Sequence, residues 1–215
     1  MRNLYQEQLQ NLNQELTRMG AACEEIIDLA AKALTDYSPE LEEKTKQVGA
    51  VIDESERTIE NICLKLLLRQ QPVARDLRQI SAAMKMITDM ERIGDQAEDI
   101  VDLIPKMEKS AGDDSLVLKK MAQAAKNMVT EAVDAYVKQD LALARKVMAD
   151  DDIVDNFFLE MKSGIIDLIA KNPDEGEFAL DLLMISKYFE RIGDHCTNIA
   201  EWVVFSMTGI REECQ

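Results

Sequence analysis

Two stretches decide the reading of this chain: residues 85–104, "KMITDMERIGDQAEDIVDLI", and residues 183–205, "LMISKYFERIGDHCTNIAEWVVF". Each contains the pentapeptide ERIGD, first as Glu91 to Asp95 and again as Glu190 to Asp194, 99 residues later. At the same offset Asp53 and Glu56 correspond to Asp152 and Asp155, so a pair of acids recurs with the pentapeptide. Self-similarity at a fixed period is the mark of a repeated supersecondary unit.

Outward from these stretches the pattern is helical. Leu9, Leu12, Leu16, Met19, Cys23, Ile26, Ala30, Ala33 and Tyr37 alternate in steps of three and four, which predicts one long amphipathic helix. "YSPE" ends it and starts the next, with Ser38 as cap and Pro39 at the first helical position. Leu41, Val48, Ile52, Ser55, Ile59, Ile62 and Leu66 form the stripe of a second helix, which Pro72 breaks. A third helix is expected from about Ala74 to about Ile104. "EKSAGDDS" reads as a polar linker. A fourth helix carries Leu118, Met121, Ala125, Met128, Ala132 and Ala135. A fifth starts near Asp140, with Val147, Val154, Phe158, Met161, Ile165 and Leu168. After the break "KNPDEGE", a sixth runs from about Phe178 to about Met207. The expected fold is all-α: two tandem three-helix bundles, residues 1–108 and 115–215, lying side by side as rods of about 45 Å.

Composition agrees. Apolar residues make up 47% of the 215 positions and charged residues 31%, while Gly and Pro number only 8 and 4. That is a helix-former's composition. The net charge of -16 repels nucleic acid and anionic membranes and favours cations or basic partners. No apolar run reaches membrane-spanning length and "MRNLYQEQLQ" lacks a signal-peptide core, so a cytoplasmic protein is expected. Cys23, Cys63, Cys196 and Cys214 are scattered, as small buried apolar residues in a reducing compartment would be.

On the third helix Glu91, Asp95 and Asp99 are spaced by four, and on the sixth Glu190, Asp194 and Asn198 repeat the row. Each step of four advances about 40°, so a row shares one sector. A second stripe in each helix faces the core: Ala83, Met86, Met90, Ile93, Ala97 and Ile100, then Leu182, Ile185, Phe189, Ile192, Cys196 and Ile199. Oxygen ligands in such rows favour Mg, Ca, Mn or Fe ions. If the second and fifth helices bring Asp53, Glu56, Asp152 and Asp155 alongside, each half holds a carboxylate metal site. The competing readings are ion pairing, with Arg92 and Arg191 as immediate candidates, and a solvated acidic face. Gly94 and Gly193 sacrifice helix stability, which implies close approach of a neighbouring helix or a ligand.

The sole histidine, His195, is read as partly exposed, with a peripheral ligand role as the alternative; it excludes the ferritin-like di-iron pattern, which needs two. No Walker loop, nucleophile elbow or GxGxxG is present. Arg69, Arg75 and Arg78 surround a helix start that would suit an anion, although ordinary exposed loop residues are the favoured reading. Trp202, Val203, Val204 and Phe205 are consecutive and cannot all face one bundle core. Some are expected to contact a partner or a second subunit, a homodimer included.

In its tandem layout, in "QPVARDLR", in "ERIGDQAEDI" and in "YFERIGDHCTNIAEWVVF" the sequence resembles the PhoU family along essentially its whole length. The resemblance implies two three-helix bundles and a role in bacterial phosphate uptake. The implied partners are a phosphate ABC transporter, through its ATPase subunit, and a phosphate-sensing histidine kinase. It also implies iron or zinc bound through an acidic-x-x-x-Asp motif on the third helix of each bundle, with manganese or magnesium as alternatives. The motif falls on Glu91 and Asp95, and on Glu190 and Asp194. Asn198 fits the usual third position and Asp99 departs from it. The expectation is a metal-binding regulatory adaptor rather than an enzyme. A carboxylate-bridged metalloenzyme and a metal-free structural adaptor are the alternatives.

Overall fold

The computed structural model describes residues 2–70, 72–107 and 115–212, excepting the side chains of 2–5, 69, 70 and 115. The linker at 108–114 and Cys214 lie outside the described residues. Six long helices follow in order: α1 (Arg2–Ala33), α2 (Pro39–Gln70), α3 (Ala74–Leu103), α4 (Ser115–Lys138), α5 (Leu141–Lys171) and α6 (Gly176–Thr208). Single 3-10 turns at Ile104–Lys106 and Pro173–Glu175 carry Pro105 and Pro173, each at a turn start where a missing N–H costs nothing.

The ends form where the side chains dictate. Ser38 Oγ accepts from the Leu41 amide at 3.2 Å and Asp140 Oδ1 from the Leu143 amide at 3.0 Å, capping α2 and α5. Gly209, at φ +81°, closes α6 in the left-handed conformation that only glycine adopts freely. The Arg78 guanidinium lies against it, a cation set at a helix C-terminus. Arg78 is therefore an inter-half contact. The side chain of Arg69 is among those not described.

Each half is a three-helix bundle, and the two share one continuous core. α3 packs on α1, α2 and most extensively on α6, while α6 packs on α3, α4 and α5. α3 and α6 run antiparallel: Arg78 meets Gly209 at one end and Asp89 meets His195 further along. Tyr136, fully buried, ties α4 to α3 by donating to the Gln79 carbonyl at 2.9 Å. Gly20 of α1 lets Val133 of α4 approach to 3.1 Å from where a Cβ would stand.

Of the four consecutive apolar residues, Val203 and Val204 are fully buried, while Trp202 and Phe205 are half-buried and keep part of their surface in solvent. An α-helix enclosed on three sides has room for a wide apolar arc. Trp202 meets Phe205 edge-on at 5.7 Å, and Arg211 covers the Trp202 ring at 4.6 Å while pairing with buried Glu201 at 2.9 Å. Cys23, Cys63 and Cys196 are free and buried, and burial pushes the Cys23 and Cys63 thiols up to about 12. Among the described residues no helix is long and apolar enough to cross a membrane.

Candidate metal centre

Gly94 and Gly193 set the spacing of each site. A Cβ at Gly94 would stand 3.1 Å from Ile52 Cδ1 of α2. One at Gly193 would stand 3.1 Å from Asp151 Oδ1 and 3.3 Å from Val154 Cγ1 of α5. The glycines thus draw α2 onto α3 and α5 onto α6 beside the acids.

In the first half Asp53 and Glu56 of α2 face Glu91, Asp95 and Glu98 of α3. Burial, then Asp95, raises the Glu91 carboxyl above its ordinary value, with Glu56 and Asp53 adding. Burial, then Glu60 and Asp53, raises Glu56. Burial, then Asp53 and Asp95, raises Glu98, whose Oε1 occupies the space a side chain at Gly49 would need. In the second half Asp155 and Asp151 of α5 face Glu190 and Asp194 of α6, with Asp152 adjoining. Burial raises both Asp155 and Asp194, and Glu190 is the next cause for each. Asp194 keeps a large part of its surface in solvent, so its shift carries little energy.

Asp151 is the most perturbed of these. Burial, then Asp155 and Asp194, lifts it from 3.8 to about 6. The Thr197 hydroxyl beside it offsets part of that rise, although the two fall short of a well-formed hydrogen bond. Sequence spacing does not single out Asp151, because its counterpart 99 residues earlier is Ile52 and the acid is not duplicated. Its position four before Asp155 is the signal that was available.

One sequence-derived ligand turns away from its cluster, and another stands at the edge of its own. Asn198 turns to the α3–α6 seam, donating to Asp89 Oδ1 at 3.3 Å, and His195 Nδ1 meets the same oxygen at 2.9 Å. Asp99 is exposed and lies within the fields of Arg191 and Tyr188 of α6 as well as Asp95. The reason is angular: eight residues from Glu91 leave a side chain about 80° away, whereas seven bring Glu98 back within about 20°. Asp89, His195 and Asn198 form instead a polar link between the halves, which the sequence pattern did not announce.

Cations already touch both clusters. Arg92 donates to Asp95 at 2.9 Å and lies 3.4 Å from Glu91, while Lys187 pairs with Glu190. Among the described residues no three Asp, Glu, His or Cys groups converge closely enough to grip a metal ion in the positions shown. The donor chemistry nonetheless fits one. All donors are carboxylates, and burial followed by mutual repulsion raises several of them, both of which a cation offsets.

The Asp151 shift has a sign that can be read in solution. A folded-state value above the unfolded one means stability fully present below 3.8 and lost as the pH rises through about 6. Chelated protein should melt at a higher temperature at pH 5 than at pH 7. The Asp151 part of that difference is about 0.5–1 kcal/mol, because some of the shift is already expressed at pH 5 and solvent screening about halves the rest. Asp151→Asn, neutral at both pH values, should flatten that difference; thermal melts with an unchanged pH slope would show Asp151 to be unstrained.

The PhoU domain profile matches the chain twice, at residues 16–104 and 118–203. The phosphate-specific transport system accessory protein PhoU homolog of Clostridium acetobutylicum is 32% identical over 210 residues, covering 97% of this chain and 96% of that protein. The crystal structure of PhoU from Pseudomonas aeruginosa superposes with a TM-score of 0.87 at 29% identity, over 96% of this chain and all 100% of that one. The phosphate transport system regulatory protein PhoU from Streptococcus pneumoniae shares the fold with the same TM-score of 0.87 at 23% identity, over 98% of this chain and 100% of that one.

Proposed function

The chain belongs to the PhoU family, and on that premise we propose that it regulates phosphate uptake and phosphate-responsive signalling from the cytoplasm. It acts as an adaptor rather than an enzyme, docking on the ATPase subunit of a phosphate ABC transporter and on a sensor histidine kinase. The relatives' names, which speak of phosphate transport, support the first half of this reading. Two carboxylate clusters bind iron or zinc, with manganese or magnesium as alternatives.

The observation that carries the metal reading is the crowding of like charge at matching places in both halves, which raises Glu56 and Glu91 in the first and Asp155 and Asp194 in the second, with Asp151 added there. Asp53, Glu56, Glu91, Asp95 and Glu98 would hold a cation in the first half, and Asp151, Asp155, Glu190 and Asp194 in the second, Asp152 adjoining. A bound cation supplies charge neutralisation. Glu91 and Asp95 must release Arg92, and Glu190 must release Lys187, to face it. Each cluster then clamps α2 to α3, or α5 to α6, and fixes the outer surface that partners meet. A metal-free adaptor is the second reading, favoured by those same ion pairs with Arg92 and Lys187.

The test is genetic. In cells deleted for their own copy, a reporter of the phosphate-starvation response should stay on in abundant phosphate. Wild type should switch it off. The variant with Glu91, Asp95, Glu190 and Asp194 all replaced by Ala should fail, although it is present at equal level. Full rescue by the variant would favour the metal-free adaptor, and a silent reporter in the deletion would refute the regulatory role.

A further inference from the structure

The end of α6 carries a contact that the repeat does not require. Beyond Gly209 the chain turns back as a short strap, and the Arg211 guanidinium lies 4.6 Å from the centre of the Trp202 ring. Its Nε donates to Glu201 Oε2 at 3.0 Å, and its Nη2 stands 2.9 Å from the same oxygen. Glu201 is only 5% exposed, whereas Trp202 is half-buried and Arg211 exposed. The counterparts of Glu201 and Trp202, 99 residues earlier, are Asp102 and Leu103. Asp102 keeps about half its side chain in solvent and meets Lys46 at 3.6 Å. The buried acid and the indole therefore belong to one half only, and the other bundle closes without them.

The pair is shaped for one kind of cation. A planar guanidinium lays its face on an indole while two N–H groups on its edge point at a carboxylate. An ammonium is a point charge without that edge. A carboxylate this deep is costly without its cation, so the site demands one whenever it is uncovered. The strap that delivers Arg211 is lightly held. Ile210 is 68% exposed and adds little burial. Glu212 takes Arg145 of α5 in a two-bond fork, but on side chains 37% and 52% exposed, where solvent and salt limit its worth. A segment with few buried contacts opens locally while the core stays folded.

We propose that Glu201 and Trp202 form a docking site for an arginine side chain of another protein, and that Arg211 fills it in cis until the partner's arginine displaces the strap. The chain's own residue shows what the site accepts. A net charge of -16 draws basic partners toward the surface. None of the carboxylates placed in the metal clusters takes part, so the site and the clusters stand or fall separately.

The probe is N-acetylarginine amide, with N-acetyllysine amide as control. Each is added at constant ionic strength to the chelated full chain while the fluorescence of Trp202, the only tryptophan, is read. Arg211→Ala should show a saturable change with the arginine compound and several-fold weaker binding of the lysine compound. Wild type should bind the arginine compound about tenfold to a hundredfold more weakly than this variant, because only the fraction with an open strap accepts it. Arg211→Lys keeps a cation over Glu201, so it folds even where alanine does not, and it should bind several-fold more tightly than wild type. Glu201→Gln added to either variant should cost at least about tenfold in affinity. Binding that survives Glu201→Gln, equal affinity for the two compounds, or no gain over wild type in either variant overturns the proposal. A wild type silent beyond about a hundredfold makes Arg211 a fixed structural clamp and overturns it as well. A dimer in sedimentation that Arg211→Ala dissociates gives the site to a second copy and overturns it too.

Discussion

Phe189→Ala should lower the free energy of unfolding by about 3–5 kcal/mol. Phe189 is fully buried on α6 and, with Tyr136, is among the largest such side chains of the described residues. Alanine leaves a cavity that neighbours fill only in part. α6 is packed on three sides by α3, α4 and α5, so little of the void can be filled from solvent. For a chain of this size each kcal/mol moves the melting point by about 2–4 °C, which gives a fall of roughly 10 °C. The transition should stay single. One core cluster joins the halves, so fluorescence of Trp202, the only tryptophan, and far-UV circular dichroism should move together. Non-coincident curves, or a loss under 1 kcal/mol, would mean that the halves fold as separate units.

Adding zinc or ferrous iron to chelated protein should raise its melting temperature by a comparable amount. A ligand that binds only the folded state stabilises it by about 4 kcal/mol at a thousandfold excess over Kd. Binding adds opposite charge where burial and like charge now push Glu56, Glu91, Glu98, Asp151 and Asp155 up. The variant with Glu91, Asp95, Glu190 and Asp194 replaced by Ala should show no rise. Its chelated form should melt no lower than chelated wild type, because alanine removes the repulsion along with the ligands. Equal metal shifts in both proteins would place the binding elsewhere.

Most of the fold was legible in the sequence because helices announce themselves by period and cap. The stripes on α1, α2 and α4 are buried almost residue for residue, and Ser38, Pro39 and Asp140 stand at the ends they signalled. Gly94 and Gly193 implied close approach, and the neighbours are Ile52 and the Asp151–Val154 turn. The misses share physical causes. A step of four is longer than a helical turn, so the acidic row drifts from the face of Glu98 and Thr197, leaving Asp99 beside Asp95 at the edge and Asn198 on the α3–α6 seam. Requiring each site residue to have a twin hid Asp151, whose twin is apolar. Asp89 and His195 meet across the two halves, a tertiary contact that no local period encodes.

The most direct test of the central claim is the metal content of untagged protein purified without chelators, measured by elemental mass spectrometry. Wild type should carry several equivalents of iron, zinc or manganese, and the helical Glu91, Asp95, Glu190, Asp194 quadruple alanine variant should carry none. Wild type free of metal, or a variant that retains it in full, would contradict the claim and leave the duplicated ERIGD as a device for packing helices and pairing charges.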